Sequence, residues 1–220
     1  MLSVVIPTLN TQETVPFVLA QVAERADEIV VSDGGSTDET LAISLDHQAR
    51  LAIGCEGRGW QLARGARWAR GDWMLFIHAD TYLPDNWQAL VLEHIKSNPE
   101  KAAYFKFGIK AKGLRPRLME ILSNARTFLF GLPYGDQGLL ISRQLYDQVG
   151  GYPNWSLFED VAIVRALGRM NLRQMKGRVA TSSDRFEKNG YLGNLVRNIS
   201  YITRFTLGAD PEKLARAYRK

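Results

Sequence analysis

Glu28-Ile29-Val30-Val31-Ser32-Asp33-Gly34-Gly35-Ser36-Thr37-Asp38-Glu39 is the stretch on which the fold turns. Its first five residues read as a short buried strand, which Asp33-Gly34-Gly35 stops. Ser36 and Glu39 then form a capping-box pattern that opens a helix. Strand, turn and helix in that order predict one unit of a mostly parallel sheet with covering helices.

The same unit repeats on either side. Leu2-Ser3-Val4-Val5-Ile6 is a strand ended by Pro7, and Val15, Val18, Leu19, Val22 and Ala26 recur at helical spacing. A third strand covers about Arg50 to Cys55. Gly57-Arg58-Gly59 breaks it, and a helix of small and basic residues follows from about Trp60 to Arg70. Trp73-Met74-Leu75-Phe76-Ile77 is the most apolar run and ends at His78-Ala79-Asp80-Thr81. Asp85 is placed to cap the next helix, whose Leu90, Val91 and Ile95 face inward. Further on, Ala103 to Ile109 and Gly138 to Ser142 read as strands. Arg115 to Phe130, Glu159 to Met170, Gly190 to Leu207 and Pro211 to Arg219 read as helices. No linker or internal repeat divides the chain, so residues 1–220 are expected to form a single α/β domain.

Bulk properties agree with that expectation. A length of 220 residues suits one α/β domain with a full core, and 45% hydrophobic with 23% charged residues is ordinary for a soluble protein. No stretch approaches the ~18–20 apolar residues of a membrane span. Met1 runs straight into the first strand, so no signal peptide is expected. The lone Cys55 has no internal disulfide partner, which fits a cytoplasmic protein. A net charge of +5 suits nucleotides, lipid phosphates or a membrane surface. Without a dense Lys/Arg run, nucleic acid is not an expected partner.

In an open α/β sheet, ligands bind beyond the carboxyl ends of the strands. That rule selects Thr8-Leu9-Asn10, Asp33-Gly34-Gly35, Gly57-Arg58-Gly59 and His78-Ala79-Asp80. Asp33 can accept hydrogen bonds from a base or ribose, or can form an Asx-type turn. Asp80 can complete a Mg²⁺ or Mn²⁺ site with diphosphate oxygens and water, or can cap a turn. Arg58 and Arg64, with Gln61 between them, offer forks for a diphosphate. Arg67 and Arg70 read as a solvated face instead. Glu159 and Asp160 start a helix, where the dipole favours carboxylates in any case. They project differently, so one can act as a base while the other is held by packing.

Together these pieces resemble family 2 glycosyltransferases. Ser3 to Asn10 looks like their opening strand and nucleotide loop, and Ile29 to Asp38 like their second strand and its aspartate. Gly71 to Thr81 is similar to the strand carrying their Asp-x-Asp element, here in a His-Ala-Asp-Thr form typical of a short bacterial subgroup. Gly135-Asp136-Gln137-Gly138 and Phe158-Glu159-Asp160 resemble the acceptor-side loop and the catalytic Glu-Asp motif. The resemblance implies a GT-A fold, an NDP-sugar donor, an unidentified acceptor and a divalent cation, Mn²⁺ or Mg²⁺. A nucleotide-sugar half (about 1–100) would precede an acceptor half (about 101–188) and C-terminal helices (about 189–220). Carried over by position, Pro7, Thr8, Asn10, Glu13, Asp33 and Gly34 would hold the nucleoside. Arg58, Gln61, His78, Ala79 and Asp80 would line the donor, with Asp80 on the metal. Gly135, Asp136, Gln137 and Trp155 fall on the acceptor side. Asp160 would be the base of an inverting displacement, with Glu159 the other candidate. His78 departs from the family pattern by replacing the first aspartate, and a neutral imidazole can serve towards ribose or metal. No histidine follows His94, so Asp184 is carried as a further candidate metal ligand.

Two rival readings are a sugar nucleotidyltransferase and a catalytically silent nucleotide-binding scaffold. No Gly-rich loop followed by Arg and Lys near the N-terminus supports the first. The set Asp33, Asp80, Glu159 and Asp160 argues against the second. Tyr191, Leu192, Leu195, Val196, Ile199, Ile202 and Phe205 include apolar residues at helical spacing with Arg197 and Arg204 among them. That face is expected to pack on the domain or on a second copy, with a peripheral inner-membrane contact as the alternative.

Overall fold

The computed structural model describes residues 1–181 and 191–218. Its first half alternates as the sequence predicts: β1 (Leu2–Thr8), α1 (Val15–Val22), β2 (Glu28–Asp33), α2 (Thr40–Asp46), β3 (Arg50–Ile53), α3 (Arg58–Trp68), β4 (Trp73–Phe76) and α4 (Trp87–Ser97). The second half runs β5 (Ala102–Ile109), α5 (Leu114–Phe130), a 3-10 turn at Gly135–Gln137, β6 (Leu139–Ser142), α6 (Arg143–Gln148) and α7 (Glu159–Leu167). A further 3-10 turn at Arg169–Asn171, β7 (Leu172–Thr181), α8 (Tyr191–Thr206) and α9 (Pro211–Tyr218) complete it.

The strands form one sheet in the order β3-β2-β1-β4-β6-β5-β7. β1 pairs in parallel with β2 and β4, β2 with β3, and β5 with β7; β6 alone runs against both its neighbours. Alternation along each strand divides the core between the two faces. Val4 and Ile6 of β1 join α1 and α4 through Val18, Trp87 and Val91 on one side. Val5 joins α3 and α7 through Leu62, Ala66 and Ile163 on the other. Among the described residues, no helix is long and apolar enough to cross a membrane.

This topology positions the site. The chain leaves β1 towards β2 on one side, and β4 lies on the other, so a crevice opens at their carboxyl ends. Because β6 runs backwards, it begins at that same edge, with Leu139 opposite Phe76. The turn before it, Gly135–Gln137, is thereby carried to the end of β4, beside the Asp80 loop.

Some local expectations are corrected. Ser36 and Glu39 do not form a capping box, because α2 begins at Thr40 and has no side-chain cap bond. Asp38 does related work by accepting from the Thr40 N–H at 3.0 Å. Asp85 does not cap α4, whose N-cap is Asn86. The helix from Glu159 ends at Leu167, at Gly168 with φ 70°, rather than at Met170. β7 and α6 are elements that hydrophobic periodicity did not signal.

Candidate active site

The nucleotide-side loops are built first. Asp33 is fully buried at the end of β2. Its Oδ1 accepts from the N–H groups of Gly35 (2.8 Å) and Ser36 (2.7 Å). Its Oδ2 accepts from the hydroxyls of Thr8 (2.7 Å) and Ser36 (2.5 Å). A carboxylate offers about four acceptor positions, and all are filled by the chain itself. Asp33 therefore organises the loop as the Asx-turn alternative requires. Asn10 sits at φ 50°. Its N–H donates to Ser36 Oγ at 2.8 Å, and its Oδ1 accepts from the Thr37 N–H at 2.9 Å. Gln12 donates its N–H to Asp38 and accepts from the Glu39 N–H, both at 3.1 Å. The two loops are thus laced together by side-chain-to-backbone bonds. Pro7 lies opposite Ser32 in the sheet, Gly34 donates to the Thr8 carbonyl at 2.9 Å, and Glu13 is exposed beyond the lacing.

Two residues read as diphosphate ligands turn inward. Gln61 is 5% exposed, and its Nε2 donates to the carbonyls of Thr8 (2.6 Å) and Ser32 (3.2 Å). Arg64 donates to the carbonyls of Ala52 (2.9 Å) and Asp33 (2.6 Å). Both tie α3 to strand ends, where carbonyls have no further sheet partner. Arg58, one turn earlier on α3, points the other way. Its Nε lies 3.7 Å from Glu159 Oε1. Burial pulls its guanidinium down, but the carboxylates of Glu159, Asp160, Asp80 and Asp136 more than offset this and hold it above the usual arginine value.

Those four carboxylates come from three separate elements. Asp80 follows β4, and its Oδ2 accepts from Thr181 Oγ1 at the end of β7 at 3.4 Å. Asp136 lies in the turn before β6 and keeps Oδ1 buried with no hydrogen-bond partner. Burial, opposed by Arg126 and reinforced by Asp160, pushes its carboxyl up to about 6. Glu159 is 1% exposed, and its Oε1 also lacks a hydrogen bond. Burial and the neighbouring Asp160 push it up to about 7, against the pull of Arg58. Asp160 is held differently, accepting from the N–H of Gly135 (2.8 Å) through Oδ2 and of Val161 (2.7 Å) through Oδ1. A Cβ on Gly135 would lie 2.9 Å from His78 Nε2 and 3.5 Å from Asp160 Oδ2, so imidazole, loop and carboxylate converge. Asp160 also lines a small cleft with Pro133, Tyr134, Gly135 and Tyr152.

The approach to this motif is strained. Phe158, just before Glu159, has φ 65° and ψ 18°, a left-handed conformation costly for an aromatic residue. Its ring stacks on Phe205 of α8 with centroids 4.7 Å apart. Trp155 packs edge-on to the same ring, and its carbonyl accepts from the Gly59 N–H at 2.9 Å.

Of the acceptor-side residues, Gly135 and Asp136 face the carboxylates. Gln137 is fully buried and spends its amide on Phe105, Thr127 and Tyr134. Ala79 is packed in the core. Asp184 lies outside the described residues. The sequence reading missed Thr181 and the Arg126–Tyr134 pair, in which the guanidinium carbon sits 3.3 Å from the ring centroid. Tyr134, two residues before Asp136, was the only signal available.

The sheet order, the Asp-bearing loop after β4 and the carboxylates at the carboxyl edge belong to a domain of the GT-A fold. The chain belongs to glycosyl transferase family 2, whose model matches residues 3–150. Curated relatives include PGL/p-HBAD biosynthesis glycosyltransferases of Mycobacterium bovis and Mycobacterium tuberculosis. They are 37% identical over 93 residues, a match covering 38% of this chain and 36% of the relatives' own length. Among solved structures, the M. tuberculosis glucosyl-3-phosphoglycerate synthase in complex with Mn²⁺, UDP and glucosyl-3-phosphoglycerate superposes with a TM-score of 0.63 at 20% identity. That superposition covers 96% of this chain and 81% of the other. The same enzyme with Mn²⁺, UDP and phosphoglyceric acid gives 0.64 at 19% identity, covering 96% and 79%. At that identity the likeness is one of fold.

Proposed function

We propose that this chain transfers a sugar from a nucleoside diphosphate to an acceptor hydroxyl, with inversion and with the help of a divalent cation. The observation that carries this reading is the meeting of Asp80, Asp136, Glu159 and Asp160 around Arg58. Two of those carboxylates keep a buried oxygen without a hydrogen bond, and the cluster lies beside the laced loops after β1 and β2. Asp80, a carboxylate within this cluster, fits a ligand of Mn²⁺ or Mg²⁺. Among the described residues, no group of three His, Cys, Asp or Glu side chains is close enough to hold a metal alone. That too suits a cation held by one carboxylate, Asp80, together with diphosphate oxygens. When bound, the cation offsets charge on the departing diphosphate.

The chain's own residues do the rest. Arg58 faces the diphosphate and stabilises charge that grows there in the transition state. Glu159, sealed beneath it, orients the guanidinium. Asp160 lines the cleft with both oxygens aimed by backbone N–H groups, and it takes the proton from the attacking hydroxyl. His78 and Gly135 border the same space.

Thermal melting with UDP, GDP, CDP, ADP or TDP, with and without Mn²⁺, tests the reading. UDP is the first probe because the solved relatives hold it. One nucleotide should raise the melting temperature with Mn²⁺ present, by roughly 2.7 kcal/mol of apparent stability at a hundredfold excess over Kd. Asp80→Ala should remove the metal-dependent part. No shift with any nucleotide at millimolar concentration would sink the proposal.

A further inference from the structure

α5 turns most of its large apolar residues outward. Its inward face carries Pro116, Met119, Glu120, Asn124 and Thr127, with Met119 packed on Phe107 and Ile109. Asn124 bonds the backbone of Phe107, and Glu120 accepts the Ile109 N–H at 2.9 Å. Its outward face carries Leu114, Leu118, Ile121, Leu122, Phe128 and Leu129, all exposed, with Leu114 at 90%, Ile121 at 63% and Phe128 at 71%. At 100° per residue these positions form one stripe roughly 120° wide along a helix of roughly 25 Å. A stripe of that width normally faces a protein core.

Charge indicates what covers it. Arg117 borders one side of the stripe and Arg115 the other, both exposed, and exposed Lys112 precedes the helix. Glu120 is the only acid on α5; it is 6% exposed and paired with Arg117 and Arg178. The outward face therefore presents apolar side chains with the exposed cations Lys112 and Arg115 at its amino-terminal end and no carboxylate. An anionic lipid surface gives Lys112 and Arg115 partners and lets their stems lie along the acyl boundary while the apolar row inserts.

We infer that α5 docks this protein on anionic membranes, lying in the plane of the interface. The docking face runs up to the catalytic edge. α5 ends at Gly131, φ 62°, and the chain proceeds within a few residues to Tyr134, Gly135 and Asp136. If the transferase reading of that edge is right, the acceptor is a hydroxyl borne by a molecule embedded in the bilayer; this last step alone rests on that reading.

Flotation of the full chain with vesicles of phosphatidylcholine and phosphatidylglycerol, compared with phosphatidylcholine alone, tests the docking. The chain should float with the anionic vesicles and much less with the neutral ones. Ile121→Glu with Phe128→Glu should lower partitioning roughly tenfold or more. Both side chains are exposed, and the nucleotide-induced melting shift should survive. Should that variant fold poorly, Ile121→Ser with Leu129→Ser gives the milder version of the same loss. No flotation on either vesicle, or flotation that both variants leave unchanged, overturns the inference. So does a concentration-dependent dimer, lost in the variants, in a chain that ignores vesicles. The assay contains no nucleotide, sugar or metal, so its failure leaves the transferase reading standing, and the reverse also holds.

Discussion

Glu159 and Asp160 are adjacent in sequence and opposite in circumstance, and two measurements separate them. Glu159 is sealed from water and its carboxyl rises from an ordinary 4.5 to about 7. The folded state then holds a proton that the unfolded chain has released. Stability from this group is present below pH 4.5 and is lost as pH rises through about 7. The loss is on the order of 3 kcal/mol. Glu159→Gln cannot titrate, so denaturant melts at pH 5 and pH 8 should differ less for the variant than for the parent chain. An equal pH difference in both would mean that Glu159 is ionised throughout. Asp160 touches the cleft and accepts two backbone N–H groups. Asp160→Asn keeps the shape and removes the proposed base. Transfer should fall roughly a hundredfold or more while the nucleotide melting shift persists. Full turnover by that variant would take Asp160 out of the mechanism. Both carboxylates were legible as a motif, yet their division of labour was not. One-position spacing shows that they diverge but not which of them meets a wall.

At the scale of elements, the joint between α3 and the loop ahead of α7 decides whether Arg58 meets its carboxylates. Gly59 donates to the Trp155 carbonyl, and a Cβ there would stand 2.3 Å from the Pro153 oxygen and 2.5 Å from that of Trp155. Backbone oxygens cannot rotate away as a side chain would. Gly59→Ala should therefore cost about 2 kcal/mol or more in a denaturant melt and push Glu159 off Arg58. A stable, active Gly59→Ala would show that the loop moves freely. β1, β2 and β4 were readable because each buries a continuous apolar run, as Val4-Val5-Ile6 does, whereas β3 buries only Ala52 and was marked by the Gly57-Arg58-Gly59 break after it. β7 was not readable. It is an edge strand whose buried hydrophobic residues are Leu172, Met175 and Val179, spaced three and four apart, and its pairing with β5 shifts register between Tyr104 and Lys106. Ser36 misled for a different reason. Its hydroxyl had the spacing of a cap, but its oxygen accepts the Asn10 N–H at 2.8 Å while its proton goes to Asp33 at 2.5 Å. A local pattern could not register a partner that the fold of the loop supplies.

The whole molecule joins two parts through one backward strand. Loops 8–12 and 33–40 belong to the parallel half, whereas Asp136 reaches the same edge because β6 runs against β4 and β5, and the Gly135 N–H bonds Asp160 there. Under the proposed function, a nucleotide alone would meet the first set together with Arg58, and the carboxylates at close range. Those carboxylates would repel a diphosphate, with Arg58 and Arg126, among the described residues, to offset them. A cation alone meets orphaned oxygens but too few protein ligands to fill its shell. Each therefore supplies what the other lacks, and their binding should be coupled by roughly 1–3 kcal/mol. The melting shift with UDP and Mn²⁺ together should exceed the sum of the two single shifts. Hydrogen exchange should locate the coupling. The Gly135 N–H donates to Asp160 across the junction, and it should gain protection with the pair but little with UDP alone. Additive shifts, or protection confined to residues 8–12 and 33–40, would mean that nucleotide binding never reaches the carboxylate side. The site would then have to close around the acceptor instead.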